Sequence, residues 1–298
     1  MHGHAEPWVA VASTADERQA NELGLVLTAR GIEHRRELGL VGWDVWVPAA
    51  SAALARAEIA QYVSENRRAI GPRRIEEVGD GAPGVLAYVA VLVAVFFCVH
   101  VSPWSLDWFG AGRLVAGRVV AGEWWRTVTA LTVHVELDHL GGNLVFGAFF
   151  GYFIGRYFGR GIGWLAVLVA AALANAETAF SLEPAHGSIG ASTAVLATLG
   201  ILTAYTWRRG FLRETPWRWR VGPIVAGLGL FAFTGAGGEN TDLYAHLAGF
   251  VTGFASGLGL ARWLAPRALR SRATQRTCAA LALALVAGAW TWGLIVAG

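Results

Sequence analysis

Three apolar stretches of this chain carry polar side chains near one end, of types able to act together. The first is entered through His134, Asp138, His139 and Asn143; the second opens Gly190-Ala191-Ser192-Thr193; the third opens with Asp242, Tyr244, Ala245 and His246. Polar groups inside an apolar run are costly to bury, which marks them as candidate functional residues. A serine hydroxyl is a weak nucleophile at neutral pH and needs an adjacent base, a role open to His246. If Ser192 attacks a carbonyl, the resulting oxyanion needs donors, and Asn143, His139 and the Ser192 N–H near a helix N-terminus are candidates. This set points to acyl transfer. No third acidic member stands out: Asp242, four residues before His246, is close enough to consider as its orienting group but sits at the water boundary.

The helices that must hold these groups can be read from spacing. Residues four apart lie about 40° apart around a helix, so His139 and Asn143 share a face. His134, five residues before His139, does not share it, which argues against a helical His-pair metal site, and the chain contains no HExxH run. His246, Gly249, Gly253 and Gly257 fall on one stripe, which lets a neighbouring helix approach closely. If that neighbour begins at Gly190, hydroxyl and imidazole come within reach of each other.

The elements belong in a bilayer. Of 298 residues 55% are hydrophobic and 15% charged, with mean hydropathy +0.45, outside the range of soluble domains. Seven stretches are long enough to span a membrane, near 84–102, 138–158, 161–181, 188–207, 219–236, 241–264 and 277–297. Every basic side chain other than histidine is arginine, and the arginines cluster before span one and after spans two, four and six, including the group at 262–276. They read as topology determinants rather than a nucleic-acid footprint. The connections carrying Glu177, Glu183, Glu239 and Asp242 then face outward. This predicts a cytoplasmic N-terminus and an outside C-terminus, despite Arg113, Arg118 and Arg126 in the long outer loop 103–137. Asn143, Ser192 and His246 fall at similar depth near the outer face. Cys98 and Cys278 lie in separate apolar runs, so neither a disulfide framework nor a zinc site is expected.

Residues 1–78 read as a small β-α-β-β-α domain: a strand at Val9 to Ser13, a helix capped near Thr14 or Asp16 and ending by Gly31, strands near 34–40 and 43–48, and a helix over 49–68. No signal-peptide pattern opens the chain, so this domain is expected in the cytosol. Residues 69–82 resemble a linker, whose last part, 79–83, leads into the membrane region. The fold class is an all-α polytopic membrane bundle, a six-helix core over 84–264 plus a C-terminal helix at 277–297, with a small α+β N-terminal soluble domain.

At four separate elements the chain resembles the rhomboid intramembrane serine proteases. Gly122-Glu-Trp-Trp-Arg126 with Thr129 and His134 is similar to the family's first outer loop. His134, His139 and Asn143 match its HxxxxHxxxN pattern, Gly190-Ala-Ser192 its nucleophile motif, and Ala245-His246 with Gly249 its sixth helix. The resemblance implies a six-helix core with an outer water-filled cavity and a Ser192–His246 dyad. It further implies oxyanion stabilisation by Asn143 and His139, with His134 and Gly190 in support, and cleavage of transmembrane protein substrates near the outer face. No metal or cofactor and no nucleic-acid partner are implied; the setting would be a bacterial inner (cell) membrane. The chain departs from the family at Thr193, Leu196 and Ala248. Thr193 is expected to add a side chain beside the oxyanion hole, and Leu196 to remove an aromatic partner for His246.

Plainer readings exist. Taken singly, Ser192 is a packing residue, His246 an interhelical hydrogen-bond donor, His139 with Asn143 a structural pair, and Trp124 and Trp125 interfacial anchors. Two alternatives to an active protease are a silent relative that binds transmembrane helices and a transporter using the intramembrane histidines. The transporter reading requires polar residues through the full depth of the bilayer.

Overall fold

The computed structural model describes residues 7–14, 16–39, 42–66, 77–209, 222–235 and 242–297. They divide between two units, Met1–Arg73 and Arg74–Gly298. Outside the described residues lie Glu239, the end of the helix expected over 49–68, most of the linker 69–82, and the ends of the fifth and sixth expected spans.

The first unit comprises β1 (Trp8–Thr14), α1 (Glu17–Ala29), β2 (Arg35–Leu38), β3 (Trp43–Pro48) and α2 (Ala52–Glu65). Its sheet is antiparallel in the order β1-β3-β2. Alternation along β3 buries Val45 and Val47 against Leu23 and Leu27 of α1 and Ala55 and Ile59 of α2. The Asp16 carboxylate caps α1, accepting from the Arg18 N–H at 3.0 Å. β2 is shorter than its expected 34–40 because the Gly39 N–H turns to the Gly42 carbonyl at 2.7 Å. The helix expected from residue 49 starts as a 3-10 turn, Ala49–Ser51, directly after Pro48.

The second unit is helical: α3 (Ala82–Val101), α4 (Trp108–Gly112), α5 (Ala116–Val120), α6 (Arg126–Thr129), α7 (Leu137–Phe158), α8 (Ile162–Ser181), α9 (Ser192–Arg209), α10 (Gly222–Gly235), α11 (Leu243–Trp263), α12 (Pro266–Arg270) and α13 (Arg272–Ala297). Among the described residues four helices are long and apolar enough to cross a membrane: α3, α8, α11 and α13. The other expected spans also fold as helices but fall short of that measure. α7 carries His139, Asn143 and Arg156, α9 carries several threonines and ends in Arg208-Arg209, and α10 has 14 described residues.

The segment between α3 and α7 folds into a packed platform rather than an open loop. Arg126, fully buried, holds it together: its guanidinium donates to Glu123 at 2.5 Å and to the carbonyls of Gly110 and Arg113, both at 2.7 Å. The Thr129 hydroxyl donates to the Gly112 carbonyl at 2.8 Å and Trp125 Nε1 to that of Ala111 at 3.2 Å. One edge of the platform, β4 (Leu114–Val115), pairs antiparallel with β5 (Gly187–Ser188), just ahead of α9. The N–H groups of Ala116 and Gly117 extend this clamp to the carbonyls of His186 and Pro184, and the Gly190 N–H donates to that of Ala130, each at 2.9 Å. The approach to Ser192 is therefore anchored in the platform by backbone bonds.

At the opposite end one side chain serves three helices. The Gln275 amide of α13 accepts from the N–H groups of Gly161 (2.8 Å) and Ile162 (3.1 Å) at the start of α8. It donates to the carbonyls of Phe158 (2.8 Å), at the end of α7, and Leu269 (3.0 Å), in α12. Helix ends leave such groups unpaired, and a buried end needs partners from elsewhere.

Candidate active site

Ser192 is the first residue of α9, where the leading N–H groups of a helix have no partner within it. Gly190 just before it has φ +108°, a conformation that L side chains rarely adopt. A Cβ there would also lie 2.5 Å from Cε1 and Nε2 of His139 and 3.5 Å from Nδ2 of Asn143. Gly190, His139 and Asn143 are thus brought together, and glycine is required both by the backbone and by the imidazole against it.

His134 organises this corner. Its Nε2 accepts from the Ala191 N–H at 3.2 Å, so Nδ1 carries the proton and donates to the Thr132 carbonyl at 3.2 Å. The amide Nδ2 of Asn143 then donates to the same Nε2 at 3.0 Å, leaving its second N–H for another acceptor. The Asn143 carbonyl receives the Tyr88 hydroxyl at 2.8 Å, and the His134 and His139 rings meet edge to face at 5.0 Å. His134 therefore ties the turn before Ser192 to α7. Trp290 of α13 extends the chain, its Nε1 donating to Thr132 Oγ1 at 3.0 Å.

α11 packs parallel to α9 along the glycine stripe. Gly249 faces Thr193, Gly253 faces Ala197 and Gly257 faces Ile201, each pair 56 apart in sequence. Side chains on these glycines would strike the backbone of α9, which explains the small residues. The same offset carries His246 level with Gly190, and Ser192 lies two residues further, about 3 Å along the axis. His246 is buried, Ser192 is partly open, and His139 lies within electrostatic range of His246.

One expectation changes. Asp242 does not serve as an orienting acid: one oxygen caps α11, accepting from the Ala245 N–H at 3.0 Å, and the other pairs with His186 Nε2 at 2.9 Å. The Thr193 methyl packs toward α11, where a Cβ on Gly249 would lie 3.2 Å from its Cγ2. Leu196 is buried with Phe150, Val195, Leu199 and Phe250. The sequence alone assigned no role to His186, Thr132, Gln275 or Trp290. Gln275, an amide at the border of an apolar run, carried a usable signal; Thr132 carried none. Among the described residues no group of histidine, cysteine and carboxylate side chains is arranged to hold a metal.

Comparison with known proteins adds the family. The model of the rhomboid domain matches residues 121–263, a range that holds the platform's Arg126, the His134 corner, Ser192 and His246. The chain carries a rhomboid domain. It is also similar to Rhomboid protease GluP of Bacillus subtilis (strain 168), 29% identical over 183 residues, covering 58% of this chain and 34% of that protein. The chain thus spans about a third of the length of the curated relative it matches. With a rhomboid domain and four apolar helices of spanning length, it is an integral membrane protein.

Proposed function

We propose that the chain is an intramembrane serine endopeptidase that cleaves transmembrane protein substrates near the outer membrane face. Ser192 is the nucleophile and His246 the base. The observation that carries this reading is the constant 56-residue offset between α11 and α9, which brings the imidazole to the level of the nucleophile turn. In the reaction, Ser192 Oγ attacks the scissile carbonyl while His246 takes its proton. His246 returns that proton to the leaving amine, and water then releases the acyl group by the same route. His139 and the second N–H of Asn143 stabilise the oxyanion, and His134 and Gly190 shape the turn that presents Ser192. No cofactor takes part. The arginine pattern supports a cytoplasmic N-terminus and an outside C-terminus in a bacterial inner membrane.

The test uses a fluorophosphonate probe and a model transmembrane substrate with the detergent-purified chain. Labelling and cleavage should each fall at least about 10³-fold in Ser192→Ala and in His246→Ala. Cleavage persisting in Ser192→Ala would sink the proposal. Co-purification of transmembrane helices without any labelling would favour a silent, helix-binding relative.

A further inference from the structure

An apolar cavity of about 190 Å³ lies inside the helical unit, walled by α3, α8, α9 and α13. It owes its space to small side chains, Gly84 and Ala87 on α3 and Ala279 and Ala282 on α13. Along α3 it extends from Pro83 to Leu92, which at 1.5 Å per residue is about 14 Å. It is long and slender. A helix, about 10 Å across, does not fit such a space, whereas dry apolar cavities of about 150 Å³ take up small hydrocarbons.

The two ends differ in chemistry. One end backs onto Ala191 and Thr132, at the nucleophile corner; the other reaches Arg160, in the turn between α7 and α8. A Cβ on Gly161 would collide with the Gln275 backbone carbonyl, so Arg160, just before Gly161, and Arg276, just after Gln275, lie at the same end. Both are exposed, and among the described residues neither forms an ion pair or hydrogen bond. Arg156 nearby differs, since it is paired with Glu77 and Tyr152. A slender apolar slot that opens beside two uncommitted guanidinium groups matches a lipid with a fatty tail and an anionic phosphate.

We propose that this cavity binds one acyl chain of an anionic phospholipid, with the headgroup phosphate held by Arg160 and Arg276. The lipid then fills the space between α3 and α13 and helps to hold α13 on the bundle. The site is separate from the dyad and does not depend on proteolysis.

The test combines native mass spectrometry with photo-crosslinking on the full chain, using dioleoyl phosphatidylglycerol, dioleoyl phosphatidylcholine, and phosphatidylglycerol carrying a diazirine in one acyl chain. Wild type should retain one phosphatidylglycerol about tenfold more strongly than phosphatidylcholine, as two cations beside an anionic headgroup would cause. Crosslinks should map to α3 and α13. Arg160→Gln with Arg276→Gln should bring the two lipids level, and Ala282→Phe should abolish the crosslinks. Ala87→Leu fills the slot from the other wall, should Ala282→Phe fail to fold. Equal retention of both lipids by wild type, crosslinks on other helices, or crosslinks undiminished in a folded slot-filling variant would each overturn the proposal. Displacement of the lipid preference by inorganic phosphate alone, with no acyl crosslink, would overturn it as well.

Discussion

At the scale of the residue, His134 shows how one neutral imidazole can order the corner ahead of Ser192. It lies in the segment before α7, and its Nε2 must stay unprotonated to accept from Ala191 and Asn143. Burial, and after it the neighbouring His139, hold its pKa at about 4, below the ordinary 6.5, with the Thr132 carbonyl pulling weakly the other way. As pH falls the unfolded chain takes up this proton before the folded one. The stability tied to a neutral His134 is therefore complete above about pH 6.5 and is lost as pH falls toward 4, on the order of 3 kcal/mol over the window. Denaturation midpoints between pH 7.5 and pH 4.5, as about three units of titration, should fall for wild type. In His134→Gln they should start lower and fall less steeply. An unchanged slope in the variant would assign the acid sensitivity to other groups.

At the scale of the element, the contact between α9 and α11 sets the spacing of the two helices that carry Ser192 and His246. Gly253 meets the Ala197 backbone so closely that a methyl group there must push the helices apart. Gly253→Ala should cost about 1–3 kcal/mol as an overpacked contact. It should lower the rate of probe labelling more than the stability loss explains, since the proposed dyad geometry is sensitive to shifts of about 1 Å. Normal labelling rates in a destabilised Gly253→Ala would separate the stripe from the chemistry. This stripe was legible in the sequence, because glycine at helical spacing has few other uses inside lipid, and Gly190 was legible as part of a motif. The bonds of the platform were not: Arg126 stood in a motif and against the charge pattern, but its partners are carbonyls 13 and 16 residues earlier. The true partners of Asp242 were hidden for a similar reason, since spacing along one helix favoured His246 and only packing brings His186 across.

At the scale of the whole molecule, the sheet-bearing unit and the helical unit each bury a core of their own. Removal of residues 1–73 should leave the thermal midpoint and probe labelling of the remaining chain within about the ±0.5 kcal/mol typical of neutral changes. A marked fall in either would show that the small domain supports the membrane unit directly. The β-α-β-β-α pattern of that domain could be read from period and caps, because β3 alternates and α1 is capped locally by Asp16. Helix positions in the larger unit could be read from hydropathy, but the bonds between helices could not, since they join residues far apart in sequence. Gln275 is the extreme case. The turn joining α7 to α8 is satisfied by an amide 114 residues further along the chain. During synthesis that turn enters the membrane with its N–H and carbonyl groups unmatched and stays so until α13 has been made and inserted. The bundle's hydrogen bonding is therefore completed from its far end, by its last helix.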